Sequence, residues 1–205
     1  MAPIKVTRKT TESKMTVVLD FSPIKPDYRS KINTPIPFLN HMIEHIAWRS
    51  GVNIEVGCEL DRFVLTHVIC EDLGIALGKA CAEYIRRTDG AYGYGDAVGI
   101  IDEAKAETAV SFESRAFFEL DCHETELSDT VEGMDKEDLE TFLEGFAQGA
   151  TCTMQVDILR GRNGHHVWEA VFRSVGSALF NAFSVNSDRK GMTSGVAGKI
   201  AWTVE

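Results

Sequence analysis

Long apolar runs are missing from this chain. Nowhere in its 205 residues is there a stretch approaching the ~20 apolar residues that a membrane helix needs. The opening MAPIKVTRKTTESK is basic and polar, without the apolar core of an export signal. Cysteine is sparse, with five residues and no CxxC pair. That excludes a disulfide framework and suits reduced thiols in a cytoplasmic protein. Positive charge is also short, with 21 Lys and Arg against 31 Asp and Glu and a net charge of −10. Nucleic acid is therefore excluded as the main partner, while a small anion held by a few well-placed cations is not. No HExxH, GxSxG or Walker loop is present, and no GxGxxG follows a strand, which removes the usual hydrolytic and nucleotide-binding signatures. Proline numbers only five and no Pro/Gly/Ser-rich linker divides the chain, so residues 1–205 read as one domain.

The chain does repeat itself. PFLNHMIEHIAWRSG reads as an amphipathic helix, VNIEVGCEL as a strand, and HVICEDLGIALGKACAEYIRR as a long helix opening on His-xxx-Glu. In the second half ETFLEGFAQGA, TCTMQVDIL and HHVWEAVFRSVGSALFNAF repeat the order helix, strand, helix, and the last again opens on His-xxx-Glu. His67 aligns with His165, Glu71 with Glu169, and Gly74 with Gly176. Strand-like hairpin material precedes each set, at residues 4–20 and 105–121, rich in β-branched and aromatic positions. The predicted fold class is α+β: a tandem duplication of a β-β-α-β-α half, about 1–98 and 99–205. Helices should cover one face of each mainly antiparallel sheet. The segment GAYGYGDAVG reads more simply as a turn or hairpin than as a phosphate cradle.

Histidine and carboxylate are concentrated on these helices. His67 and Glu71 are i,i+4 neighbours on one helix face, as are His165 and Glu169, and His41 and His45 form another such pair. His166 lies three residues before Glu169, and only His123 falls outside the clusters. A single His-xxx-Glu pair is usually a surface hydrogen bond. Two copies at matching repeat positions, one doubled to His-His, point instead to a first-row divalent metal, since imidazole and carboxylate are ligands that Mn, Fe and Zn accept together.

With these motifs in order, the chain resembles the imidazoleglycerol-phosphate dehydratase family. PFLNHMIEHIA resembles F-[FL]-D-H-M-L-x-Q, and HVICEDLGIALG resembles H-H-T-x-E-D-x-x-I-x-L-G. IIDEAKAETAVSFESR resembles P-M-D-E-A-L…D-L-S-G-R, and GRNGHHVWEAVFRSVGSAL resembles G-x-N-x-H-H-x-x-E-A-x-F-K-x-x-x-x-A-L. RKTTE matches R-x-T-x-E, so the likeness runs from about Arg8 to Lys199.

The resemblance implies a hydro-lyase of histidine biosynthesis that removes water from imidazoleglycerol phosphate. It implies two Mn2+ per chain, with Fe2+ or Zn2+ as alternatives, flanking the substrate imidazole. It also implies a homo-oligomer, a shell of twenty-four chains with the metals between subunits. Carried over residue by residue, one ion falls to His67, His165 and Glu169, and the other to His41, Glu71 and His166. Gln155 and Val68 stand where each set has a further histidine. His45 replaces a glutamine and, with Cys70, is a candidate replacement ligand. Asn40 replaces an aspartate beside the metal histidine. For the phosphate the resemblance implies Arg115, Arg173 and Lys199, with Gly93 in place of another arginine. Glu12 and Glu169 are the candidates for proton transfer. The same likeness fits a second reading: a paralogue with altered substrate or no catalysis, kept as a metal-binding or structural protein.

Overall fold

The computed structural model describes residues 2–198, 200, 201 and 203. The first half runs β1 (Ile4–Lys9), β2 (Ser13–Asp20), β3 (Ile32–Asn33), α1 (Pro37–Ser50), β4 (Asn53–Leu60) and α2 (Thr66–Arg87). The second half runs β5 (Tyr94–Ile101), β6 (Ala104–Ser111), β7 (Phe117–Asp121), a small β8–β9 hairpin (Thr130–Val131, Met134–Asp135), α3 (Lys136–Ala150), β10 (Thr153–Arg160) and α4 (Gly164–Phe183).

Each half builds one four-stranded sheet, in the orders β1-β2-β4-β3 and β5-β6-β10-β7. Position for position the two orders are the same. In both, the first three neighbours pair antiparallel and the last strand joins in parallel. The predicted α+β duplication is what forms, with one more strand in each main sheet and the small β8–β9 hairpin besides. In the first half the added strand is β3, two residues long and too short to show alternation; in the second it is β5. In the second half the hairpin partner of β6 is β5. The strand-like end of residues 105–121 is instead β7, separated from β6 by β10. GAYGYGDAVG, read as a turn or hairpin, is a turn only at its start, since residues 94–99 belong to β5, and the division expected at 98/99 falls inside that strand.

Alternation places one face of each sheet inward. Ser13, Met15, Val17 and Leu19 of β2 are buried, as are Ala104, Ala106, Thr108 and Val110 of β6. All four helices lie between the two sheets: α2 on β1 and β2, α4 on β5 and β6, with α1 against α4 and α2 against α3. Proline in the first turn and Gly51 at φ +71° bound α1. Glycine sets how closely the helices cross. A Cβ on Gly74 or Gly78 would sit 2.2 or 2.1 Å from the Phe142 or Phe146 carbonyl oxygen of α3. On α4, a Cβ on Gly176 would meet the His45 carbonyl of α1 at 3.0 Å. The glycines matched between the repeats thus lie at equivalent crossings, and the second brings the histidine face of α1 onto α4. At the edge of the first half, buried Asp72 is held by an ion pair with Arg8 and a hydrogen bond from the Ser13 hydroxyl, tying α2 to the β1–β2 hairpin.

Candidate metal centre

The α1–α4 crossing collects four side chains predicted from sequence. Glu169, with a side chain only 7% exposed, sits at their centre. His45 Nε2 lies 3.2 Å from its Oε1, and His41 Nε2 and His165 Nε2 lie 3.6 and 3.4 Å from its Oε2. The His41 and His45 Nε2 atoms are 3.3 Å apart. Local sequence explains the arrangement: i,i+4 spacing stacks His41 over His45 on α1 and His165 over Glu169 on α4. The Asn163 side chain caps α4, accepting from the backbone N–H groups of His165 and His166.

Electrostatics separate the roles. Burial pushes the His45 imidazole down to about 4 despite the pull of Glu169, so it is neutral at neutral pH with a lone pair to donate. Burial alone would raise the Glu169 carboxyl, but interaction with its neighbours, His45 and Arg173 foremost, holds it below the ordinary range. It is therefore an ionised acceptor rather than an acid.

Further carboxylates orient the rings. His165 Nδ1 faces Glu132 Oε1 at 3.1 Å, His166 Nδ1 faces Glu103 Oε2 at 2.9 Å, and His41 Nδ1 faces Glu44 Oε2 at 3.5 Å. For His41 and His165 the Nε2 side is turned toward Glu169, an arrangement usual for metal-binding histidines, while His166 Nε2 lies toward Asp102. The Glu103 carboxyl is held down to about 2, first by the hydrogen bond from His166, and that bond raises the His166 imidazole in turn. Sequence reasoning missed Glu132 and Glu103. The second had a signal, because it is the glutamate of the quoted IIDEAK motif and occupies the β5–β6 turn.

Not every candidate comes to this centre within one chain. His67 is exposed at the start of α2, its Nδ1 3.8 Å from Asp138 on α3, and Glu71 lies one turn further along α2. His166 points to Glu103 and Asp102, away from His41. The grouping expected of His67 with His165 and Glu169, and of Glu71 with His41 and His166, is thus not formed inside one chain, where α2 packs on α3 and α4 on α1. Gln155 is exposed on β10, with its buried neighbours Met154 and Val156 facing the helices, so it points to the opposite side of the sheet. Cys70 is fully buried, and burial pushes its thiol far up.

Among the phosphate candidates, Arg173 is engaged by Glu169 and donates to the Ile100 carbonyl at 2.8 Å. Arg115 is exposed in the β6–β7 connection, and Lys199 lies outside the described residues. Glu12 is exposed at the β1–β2 turn. Asn40 turns away from the centre, bonding Thr34 through both ends of its amide. Gly93 adopts φ +63°, and a Cβ there would meet Ser194 Cβ at 2.2 Å, so a side chain at this position needs the 194 segment to move. A separate group, Asp121, His123 and Asp157, is mostly exposed around β7 and β10, away from the α1–α4 crossing.

Comparison with known proteins agrees with this architecture. The family profile for imidazoleglycerol-phosphate dehydratase matches residues 34–179. The dehydratase of Cellvibrio japonicus is 32% identical across 96% of this chain and 97% of its own length. That of Clostridium novyi is 34% identical across 91% and 93%. The crystal structure of the Pyrococcus furiosus enzyme in complex with (S)-C348 superposes with a TM-score of 0.78 at 26% identity, covering 95% of this chain and 99% of that one. The Staphylococcus aureus enzyme gives 0.74, also at 26%, over 89% and 99%. With the profile spanning most of the chain and relatives above 30% identity over nearly all of it, the chain belongs to the imidazoleglycerol-phosphate dehydratase family.

Proposed function

We propose that this chain carries out metal-dependent dehydration of imidazoleglycerol phosphate to imidazoleacetol phosphate in histidine biosynthesis. The carrying observation is the orientation of His41 and His165. Each turns Nδ1 toward a carboxylate and Nε2 toward an ionised and buried Glu169. This donor set of imidazoles and one carboxylate suits Mn2+, and also Fe2+ or Zn2+. When bound, such cations supply Lewis-acid stabilisation of negative charge on the substrate's imidazole ring.

The chain's own residues do the rest. Glu169 is ionised and can hold a cation or accept a proton at Oε2, while Arg173 fixes its other oxygen. Arg115 is exposed, and among the described residues no carboxylate forms an ion pair with it, so its guanidinium is free for a phosphate. His67 is 65% exposed at its side chain, placed to serve a neighbouring copy rather than its own Glu169. A homo-oligomeric shell with shared sites is consistent with that exposure, and the cytoplasm is the setting that free thiols favour.

The test is turnover of imidazoleglycerol phosphate by purified protein with saturating Mn2+, read as imidazoleacetol phosphate formed. Absence of product under those conditions sinks the proposal. A second reading, a paralogue without this activity, has its own support: Arg173 is occupied by Glu169, and neither Val68 nor Gln155 carries an imidazole. It expects failure to rescue a dehydratase-deficient histidine auxotroph, with a folded, metal-binding protein nonetheless.

A further inference from the structure

We infer that His45 is a metal ligand, and that His41, His45 and Glu169 hold one divalent cation entirely within a single chain. The inference rests on the metal-dependent reading above for the class of cation, but not on the dehydration reaction. In the family motif this position of α1 is a glutamine, so the ligand is particular to this sequence.

Geometry carries the inference. The two imidazole Nε2 atoms are 3.3 Å apart, His45 Nε2 is 3.2 Å from Glu169 Oε1, and His41 Nε2 is 3.6 Å from Glu169 Oε2. Ligands at 2.0–2.1 Å from a tetrahedral first-row ion lie ~3.4 Å from one another. One donor atom from each of the three residues lies within 4.8 Å of the others, so small side-chain rotations bring them to the edges of such a coordination sphere. His165 Nε2, 3.4 Å from Glu169 Oε2, stands next to it for a fourth position, which water can also take.

Charge points the same way. Arg173 neutralises the Oε1 side of Glu169, whereas Oε2 faces only His41 and His165. The side chains of Glu169 and His45 are 7% and 17% exposed, so water does little to satisfy this electron-rich nest. An imidazole-rich set with one carboxylate selects Zn2+, Fe2+ or Mn2+ over Mg2+ or Ca2+.

The test uses the full chain, stripped with a chelator and titrated with Mn2+ by calorimetry, with pulsed electron paramagnetic resonance counting histidine nitrogens on the bound ion. His45→Gln restores the family's residue and should weaken one Mn2+ equivalent by at least about tenfold, with loss of one nitrogen coupling. His67→Ala should leave that equivalent in place, because no residue of α2 belongs to it. Unchanged Mn2+ affinity and nitrogen count in His45→Gln overturn the inference. Should that variant not fold, His41→Gln and the wild-type nitrogen count decide instead. At least two histidine couplings are expected in wild type and one fewer in the variant, and a wild-type ion with a single coupling overturns the inference. Mn2+ binding of this kind without dehydration upholds the ligand assignment and removes the reaction. Dehydration by wild type together with unchanged Mn2+ affinity and nitrogen count in His45→Gln does the reverse.

Discussion

Glu169 is the residue on which the centre turns, because it alone touches His41, His45, His165 and Arg173. Replacing it with glutamine keeps its size and removes its charge. Turnover of imidazoleglycerol phosphate should fall ~10²–10⁴-fold in Glu169→Gln, measured at saturating Mn2+ so that weaker binding does not mask the loss. Arg173 should then gain freedom, since its strongest partner is gone.

A structural carboxylate gives a pH prediction of the opposite kind. Asp20 accepts from the Ser22 N–H at 2.9 Å and from Lys25 Nζ at 2.7 Å, and the Lys25 bond leads in holding its pKa down to about 2. A depressed carboxylate stabilises the fold at pH values above its unfolded pKa and loses that contribution as pH falls through the folded one. Asp20→Asn should therefore be less stable than wild type by roughly 0.5–1 kcal/mol at pH 7. The difference should close between about pH 4 and 2, read by denaturant unfolding across that range. At this scale the sequence was informative about which histidines matter, because i,i+4 spacing is visible in it. It could not show that Glu169 pairs with α1 rather than with His67, since that depends on which helices cross.

Among the elements, the two helix crossings do the positioning. Gly74 and Gly78 admit the α3 backbone to α2, and Gly176 admits α1 to α4. Gly74→Ala places a methyl 2.2 Å from the Phe142 carbonyl oxygen, with no flexible side chain to yield. We expect a loss of about 3 kcal/mol or more, as overpacking against backbone produces, seen as a lowered urea midpoint. Gly176→Ala meets Arg49 Cβ at 2.7 Å and the His45 carbonyl at 3.0 Å, both longer than the contact at Gly74. That variant should fold with a smaller penalty, yet weaken Mn2+ binding by shifting α1 and its histidines away from Glu169. The helices were legible because their apolar periodicity is strong. Strands β3 and β5 were not: one is two residues long, and the other begins in a glycine-rich segment that reads as a turn. Nor was the parallel pairing of β7 with β10, which lies more than thirty residues further along.

For the molecule as a whole, the duplication explains why chemistry collects on the helices. Two sheets of the same order face each other across four helices, so the His-xxx-Glu turns at the starts of α2 and α4 occupy equivalent places. Only α4 has a pair of histidines from the other half laid against its glutamate. Exposed apolar side chains mark the outside, among them Phe63, Val64 and Leu65 just before α2, and Tyr94, Val98 and Ile100 along β5. We expect a native mass many times that of one 22.7 kDa chain by sedimentation equilibrium. A monomer at micromolar concentration would remove every role assigned to a neighbouring copy, while leaving the His41–His45–Glu169 set intact.

Family, fold class and the identity of most site side chains were determined by the sequence alone, because they rest on local spacing and on motifs repeated in order. The partnership of those side chains was decided only by tertiary structure. Residues 41, 45, 165 and 169 converge because glycine lets α1 and α4 cross closely. His67 and Glu71, equal to His165 and Glu169 in sequence pattern, are carried elsewhere because α2 crosses α3, which presents Asp138 rather than histidines.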